Sequence, residues 1–273
     1  MCPSEYTPSV PVSAVVLTYN SSDTIVRCLE SIELNHPREI VVVDGGSADQ
    51  TVELTKLYTN KVLLAKAKSR ARMLGALHAG SEYVAYVDSD IVLPSGLFAA
   101  MLERLNDPDA AVVSCLGQFG PRTGLTYWAR CENIQSRWSA RVKHDSVLLT
   151  QCCVARRSLW LQYGFEENYG GGLDDRDLAI RLSKSGVGLI LHPTLVTHLK
   201  NHTLRQFLRH RWHLGEVEHG YVRKYGLGAL PNLPLAVAVF WSLYSIAQRH
   251  ASLIPYHLVN GVAESLGMLL GRG

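Results

Sequence analysis

Three short runs of β-branched and aliphatic residues constrain this chain most: Val12 to Thr18 (VSAVVLT), Ile40 to Val43 (IVVV) and Tyr83 to Val87 (YVAYV). Each is nearly continuous in apolar character rather than alternating, and helical sequence lies between them. Strands of that kind are buried on both faces, as in parallel sheets covered by right-handed crossover helices. An α/β fold follows. Each run also ends in polar residues: Tyr19-Asn20, Asp44-Gly45-Gly46-Ser47 and Asp88-Ser89-Asp90. Ligands of open α/β sheets bind beyond the carboxyl ends of the strands, so the three tips are expected to converge on one site.

With 47% apolar and 19% charged residues the chain has material for a core and is not intrinsically disordered. Its 27 Lys and Arg exceed 24 Asp and Glu by only 3, so no nucleic-acid partner is expected. The six cysteines show no CxxC spacing, which fits a reduced, cytoplasmic chain. Residues 1–11 read as a proline-containing leader without the features of a signal peptide. The shortage of charge is local: from Gly226 to Gly273 only Arg249, Glu264 and Arg272 are charged.

Asp88 and Asp90, flanking one small residue at a strand end, can hold a hard divalent cation that neutralises a diphosphate. Asp44 can accept hydrogen bonds from a base or ribose, while Ser47 or Asp49 caps the following helix. Arg70 and Arg72, in KSRARMLG, suit phosphate contacts or a solvated basic face. Behind Gly170-Gly171-Gly172, Asp174-Asp175-Arg176-Asp177 packs three carboxylates into four residues. Crowded like charges raise at least one pKa and favour a general base, and acids are also favoured at a helix N-terminus. Asp177 and Arg181 are spaced for an ion pair along a helix running to Lys184, and Val187 to Leu191 reads as a last strand closed by His192-Pro193.

Together these pieces resemble family 2 glycosyltransferases of the GT-A fold, a Rossmann-like nucleotide-binding mixed sheet flanked by helices. VVLTYN, VVVDGGSADQT, ARMLG, YVDSDIVLPSG, YGFEENYGGGLDDRDLAIRLSKSG and the next strand with LHP occur in the family's order over about residues 12–200. The resemblance implies a nucleotide-sugar site at Tyr19, Asn20, Asp44, Gly46, Arg72 and Asp88. It also implies Mn²⁺ or Mg²⁺ at Asp88 and Asp90, and a general base at Asp175 with Asp174 at the preceding acidic position. His198 either completes the metal shell or is structural. Two departures stand out: ARM (Ala71-Arg72-Met73) replaces the frequent ARN, and Arg211-Trp212 lacks the glutamine of the processive Q-x-x-R-W motif, Leu208 standing in its place.

Thr203 and Gln206 form a capping box that predicts a helix from Leu204 to about Tyr225. Its basic side, within an amphipathic segment 201–226, suits a membrane surface, and Arg209, Arg211 and Trp212 are candidates for the acceptor or diphosphate side. Residues 227–273 are expected to form membrane-associated or transmembrane helices, although Pro231, Asn232 and Glu264 interrupt the apolar sequence. The reading at this level is an inverting, metal-dependent hexosyltransferase at the cytoplasmic side of the cell membrane. Its acceptor would be lipid-linked, of the polyprenyl-phosphate type, and its first-choice donor GDP-mannose. A UDP-sugar with a soluble acceptor is the alternative; a nucleotidyltransferase is disfavoured because Thr18 to Ser22 offers no glycine-rich, lysine-containing phosphate loop.

Overall fold

The computed structural model describes residues 9–120, 124–142, 147–167, 173–200, 203–226 and 234–271. Most of the expected leader, the glycines at 170–172, Pro231, Asn232 and Arg272 lie outside the described residues.

The three apolar runs form β1 (Val10–Thr18), β2 (Pro37–Asp44) and β4 (Tyr83–Asp88). The order in the sheet is β3-β2-β1-β4-β7-β6-β8-β5, the further strands being β3 (Val62–Leu64), β5 (Ile91–Val92), β6 (Val112–Phe119), β7 (Cys152–Arg156) and β8 (Leu189–His198). β1 pairs in parallel with both β2 and β4, while β7 runs antiparallel to β4 and β6. Strand order therefore reverses about β1, which opens the binding crevice of a doubly wound sheet beyond its carboxyl edge.

Continuous apolar runs are explained by two covered faces. Val12, Ala14 and Val16 face a core shared with α1 (Ile25–Glu33) and α4 (Leu97–Arg104), through Leu29, Ile32, Phe98 and Met101. Val15 and Leu17 face the opposite core with α3 (Lys68–His78), α6 (Arg157–Tyr163) and α7 (Asp174–Lys184), through Ala76, Trp160 and Leu178. A third cluster joins α5 (Tyr127–Val142) to the C-terminal helices through Trp138, Phe207, Trp241 and Tyr256. The remaining helix of the sheet region, α2, is short (Thr51–Thr55).

Two expectations are corrected. The last strand does not stop at His192-Pro193: β8 continues to His198, with a register shift opposite Cys115 and Leu116 that absorbs the proline. Nor do the described residues of the low-charge tail form a spanning helix. No helix among the described residues is long and apolar enough to cross a membrane. α9 (Pro234–Ala247) has 14 residues and α10 (Ile254–Leu270) has 17, or about 21 and 26 Å at 1.5 Å per residue against roughly 30 Å of hydrocarbon. Two polar side chains of α10 have protein partners: Glu264 with Arg211 at 3.3 Å, and His257 with Ser245 at 2.9 Å.

The capping box at Thr203 forms, and α8 runs from Leu204 to Tyr225. α8 and α10 meet backbone to backbone. A Cβ on Gly215 would lie 2.0 Å from the Glu264 carbonyl oxygen, and one on Gly267 2.2 Å from that of Trp212, so only glycine admits this approach.

Candidate active site

The tips of β1, β2 and β4 do converge. Leu17 lies in register with Asp88, and Thr18 with Asp44. Between the tips is a pocket of about 490 Å³ lined by Tyr19, Gly45, Lys68, Asp88, Asp90 and Lys200 among others. Tyr19 is 63% exposed at its rim, an open ring for a base to stack on. Gly45 lies beneath that ring, and a Cβ there would meet the tyrosine at 3.2 Å. Asn20 adopts φ 46° and bridges the two tips, accepting from the Ala48 backbone N–H (2.9 Å) and donating its own backbone N–H to Ser47 Oγ (2.8 Å). The Asp44 carboxylate is turned into its own loop, accepting from the N–H groups of Gly46 and Ser47, each at 2.8 Å. Asp49 holds the start of α2 by accepting from Thr51, although the cap position itself falls to Gln50, with no side-chain cap hydrogen bond, and not to Ser47 or Asp49.

β5 follows the Asp88-Ser89-Asp90 turn and pairs Ile91 with His198, which returns β8 to the site. His198 Nε2 lies 3.7 Å from Asp90 Oδ1, and Lys200 Nζ 3.2 Å from Oδ2. Burial holds the Asp88 carboxyl above its ordinary value, against the pull of Lys68 and Arg72. Among the described residues no group of three or more His, Cys, Asp and Glu side chains forms a closed metal cage. The donor set nonetheless fits a hard divalent ion. Asp88 and Asp90 present carboxylate oxygens to the pocket, His198 lies 3.7 Å from Asp90, and phosphate oxygens could fill the remaining positions.

The acidic cluster occupies the first turn of α7 and divides by role. Asp174, 3% exposed, forms an ion pair with Arg72, whose second nitrogen donates to Thr150 Oγ1 at 2.9 Å. Arg72 is thus bound to protein, its guanidinium 5.0 Å from the Phe165 ring centre, and is not presented to a donor phosphate; exposed Arg70 lies on the surface. Asp177 pairs with Arg181 at 2.8 Å, as its spacing predicts, and also accepts from Lys224 and Tyr225 at the end of α8. Asp175 remains, its carboxyl pushed up chiefly by burial and then by the Asp174 charge. Lys68 and Arg72 act on both Asp88 and Asp175, so the two acidic ends of the site share one electrostatic field. Lys68 and Lys200 escaped the sequence reading; Lys68, one turn before Arg72, had a helical-spacing signal, and Lys200 had none.

The α8 candidates separate. Arg211 faces inward, pairing with Glu132 at 2.6 Å and Glu264 at 3.3 Å, and so ties α5, α8 and α10 together instead of awaiting a phosphate. Arg209 and Trp212 face outward, Trp212 donating to Glu216 at 3.1 Å.

A doubly wound sheet with an acidic turn at its switch point, and a further carboxylate, Asp175, acted on by the same Lys68 and Arg72, is the arrangement of a nucleotide-dependent transferase class. The family model for glycosyl transferase family 2 matches residues 13–161, and the chain belongs to that family. Glycosyltransferase GlyG of Streptococcus pneumoniae is 29% identical over 112 residues, covering 37% of each chain. Succinoglycan biosynthesis protein ExoO of Rhizobium meliloti is 35% identical over 109 residues, covering 37% of this chain and 31% of that one. The match therefore spans about a third of the length of these curated relatives. Among solved structures, mannosyltransferase PcManGT from Pyrobaculum calidifontis, in complex with GDP-Man and Mn²⁺, superposes with TM-score 0.68 at 19% identity, covering 98% of this chain and 89% of that one. Glucosyl-3-phosphoglycerate synthase from Mycobacterium tuberculosis, with Mg²⁺ and UDP, gives 0.58 at 18% identity, covering 79% of both. These two likenesses establish the fold.

Proposed function

We propose that this protein is an inverting, divalent-metal-dependent hexosyltransferase that takes its sugar from a nucleotide sugar, with GDP-mannose the first-choice donor. The observation that supports the reading is the pocket at the strand tips, lined by Asp88, Ser89, Asp90, Lys68 and Lys200, with Lys68 and Arg72 acting on both Asp88 and Asp175. The donor lies in the β1–β2–β4 pocket, its base against Tyr19 and its diphosphate toward Lys68, Lys200 and the acidic turn. Asp88 and Asp90, with His198 beside them, hold Mn²⁺ or Mg²⁺, which supplies charge neutralisation at the diphosphate. Asp175 accepts the proton of the acceptor hydroxyl as that oxygen attacks the anomeric carbon from the face opposite the leaving diphosphate. Single displacement inverts the centre. Arg72 acts by holding Asp174, and through it the first turn of α7.

The choice of GDP-mannose draws on the near full-length likeness to the mannosyltransferase named above, C-terminal helices included. A membrane-surface location, with the catalytic domain on the cytoplasmic side and a lipid-linked acceptor, is supported by exposed apolar residues on α9 and α10. Val239, Phe240, Leu243, Ile246, Leu266 and Leu269 are each more than 40% exposed. Lying in the interface satisfies those faces without spanning.

The test is donor hydrolysis with Mn²⁺ by the wild-type chain and Asp90→Asn, over GDP-mannose, UDP-glucose and UDP-N-acetylglucosamine. Release of GDP and mannose that is lost in EDTA and in the variant is expected. Turnover insensitive to both overturns the metal assignment, and release of pyrophosphate overturns the reaction class.

A further inference from the structure

Two ion pairs at the site differ in kind. The side chains of Arg72 and Asp174 are each no more than 5% exposed, and that pair is fixed in the core. Lys200 and Asp90 meet at the rim: Nζ lies 3.2 Å from Oδ2, with the lysine side chain 46% exposed. The root of Lys200 is nevertheless held. Leu199 donates its backbone N–H to the Asp90 carbonyl at 2.8 Å, and His198 pairs with Ile91, so main-chain bonds set the end of β8 beside the acidic turn. The lysine side chain is a flexible stem ending in a compact, strongly hydrated charge, able to change partners on that fixed base. Lys200 and Asp90 both line the donor pocket, together with Lys66, Lys68 and Asp88.

We infer that Lys200 is an exchangeable counter-cation: it neutralises Asp90 in the free chain, and a bound diphosphate draws its ammonium away and so releases Asp90 to the divalent ion. The inference rests on the metal-dependent reading above and specifies how that site is loaded. An ammonium and a divalent cation held against one carboxylate repel each other, so a metal ion arriving alone works against Lys200. A half-exposed ion pair contributes little, and a charge-assisted contact to phosphate replaces it at small cost. Charge balance favours the exchange. The carboxylates of Asp88 and Asp90 are matched by two ammonium groups, Lys68 acting on Asp88 and Lys200 pairing with Asp90. A diphosphate alone leaves the acidic end too negative, and a divalent cation alone leaves it too positive; entering together they restore the balance. Lys200 thereby makes metal affinity depend on the nucleotide, and by linkage nucleotide affinity depends on the metal by the same factor.

The experiment follows Mn²⁺ binding to the full chain by electron paramagnetic resonance, alone and with GDP or UDP, for wild type, Lys200→Met, Lys200→Arg and Lys66→Met. Lys66 lines the same pocket, so its variant controls for the loss of a charge as such. Melting temperatures establish that each variant is folded. Without nucleotide, Lys200→Met is expected to bind Mn²⁺ about tenfold more tightly than wild type, with Lys200→Arg and Lys66→Met within about threefold of it. The gain in Mn²⁺ affinity that a nucleotide brings is expected to be about tenfold smaller in Lys200→Met than in wild type. A lysine that only contacts phosphate leaves Mn²⁺ affinity without nucleotide unchanged, and that result overturns the inference. So does equal tightening in Lys66→Met, or an undiminished nucleotide effect in Lys200→Met. If wild type and Lys200→Met bind no Mn²⁺ even with nucleotide, the metal reading fails and the inference falls with it. If wild type binds Mn²⁺ with nucleotide and Lys200→Met matches it throughout, the metal reading stands and the inference alone fails.

Discussion

Replacing Asp174 and Asp175 one at a time by asparagine separates a structural carboxylate from a chemical one, although the two are adjacent. Asp174→Asn removes the charge that pairs with Arg72, leaving a guanidinium on a residue only 3% exposed with Thr150 Oγ1 as its remaining partner. Breaking one side of a buried pair costs about 3–5 kcal/mol. For a chain of this size that lowers the melting temperature by on the order of 10 °C. Asp175→Asn works in the opposite sense. Burial and the Asp174 charge hold the Asp175 carboxyl above its ordinary value, so its ionised form is disfavoured in the folded chain and lowers stability as pH rises through that interval. At neutral pH asparagine removes this unfavourable charge, and the melting temperature holds or rises. The rate falls instead, by roughly 10²–10⁴ for loss of a general base. A double substitution, Arg72→Met with Asp174→Leu, removes both buried charges and is expected to recover most of the stability that Asp174→Asn loses. Calorimetry and initial rates on the four proteins decide it. A folded, fully stable Asp174→Asn that has lost the rate, beside an active Asp175→Asn, refutes the division of roles.

Arg211→Met is expected to lower stability by about 3–5 kcal/mol, because it leaves Glu132 and Glu264 without their shared cation; urea unfolding checks the value. Gly267→Ala pushes a methyl group against the Trp212 carbonyl, so α8 and α10 must separate, with about 1–3 kcal/mol lost and faster proteolysis of the C-terminal helices. Burial, and then the Glu264 charge, push the Glu218 carboxyl up from 4.5 to about 7. The folded chain thus holds a proton that the unfolded chain releases, and this site lowers stability as pH climbs from 4.5 to 7. Melting temperatures at pH 5 and 8 should differ less in Glu218→Gln than in wild type.

What the sequence disclosed and what it hid divide along physical lines. β1, β2 and β4 were legible because both of their faces are buried, which writes an uninterrupted apolar run. β3 and β5, with three and two residues, carry too little pattern to show. The acidic turn was legible because it follows β4 directly, and Asp49, Asp177 and the α8 capping box because their partners are local. Arg72 was read as a phosphate ligand because its partner Asp174 is 102 positions away, and long-range pairing leaves no periodicity. Low charge in the tail resembled a membrane span for a related reason. The arginine that neutralises Glu264 sits 53 positions earlier, on α8.

The glycine contacts between α8 and α10 make a lever of the C-terminal region. With backbone resting on backbone at Gly215 and Gly267, and Arg211 paired with Glu264 across the contact, the two helices are held closely together. α8 is 22 residues long, about 33 Å, and its far end grips α7 through Lys224 and Tyr225 on Asp177. A tilt of about 2° along such a rod displaces its end by about 1 Å. A shift of that size in a reacting group is enough to change a rate by orders of magnitude. The packing of α10 on α8 is thereby connected, through one rod, to the turn that carries Asp175.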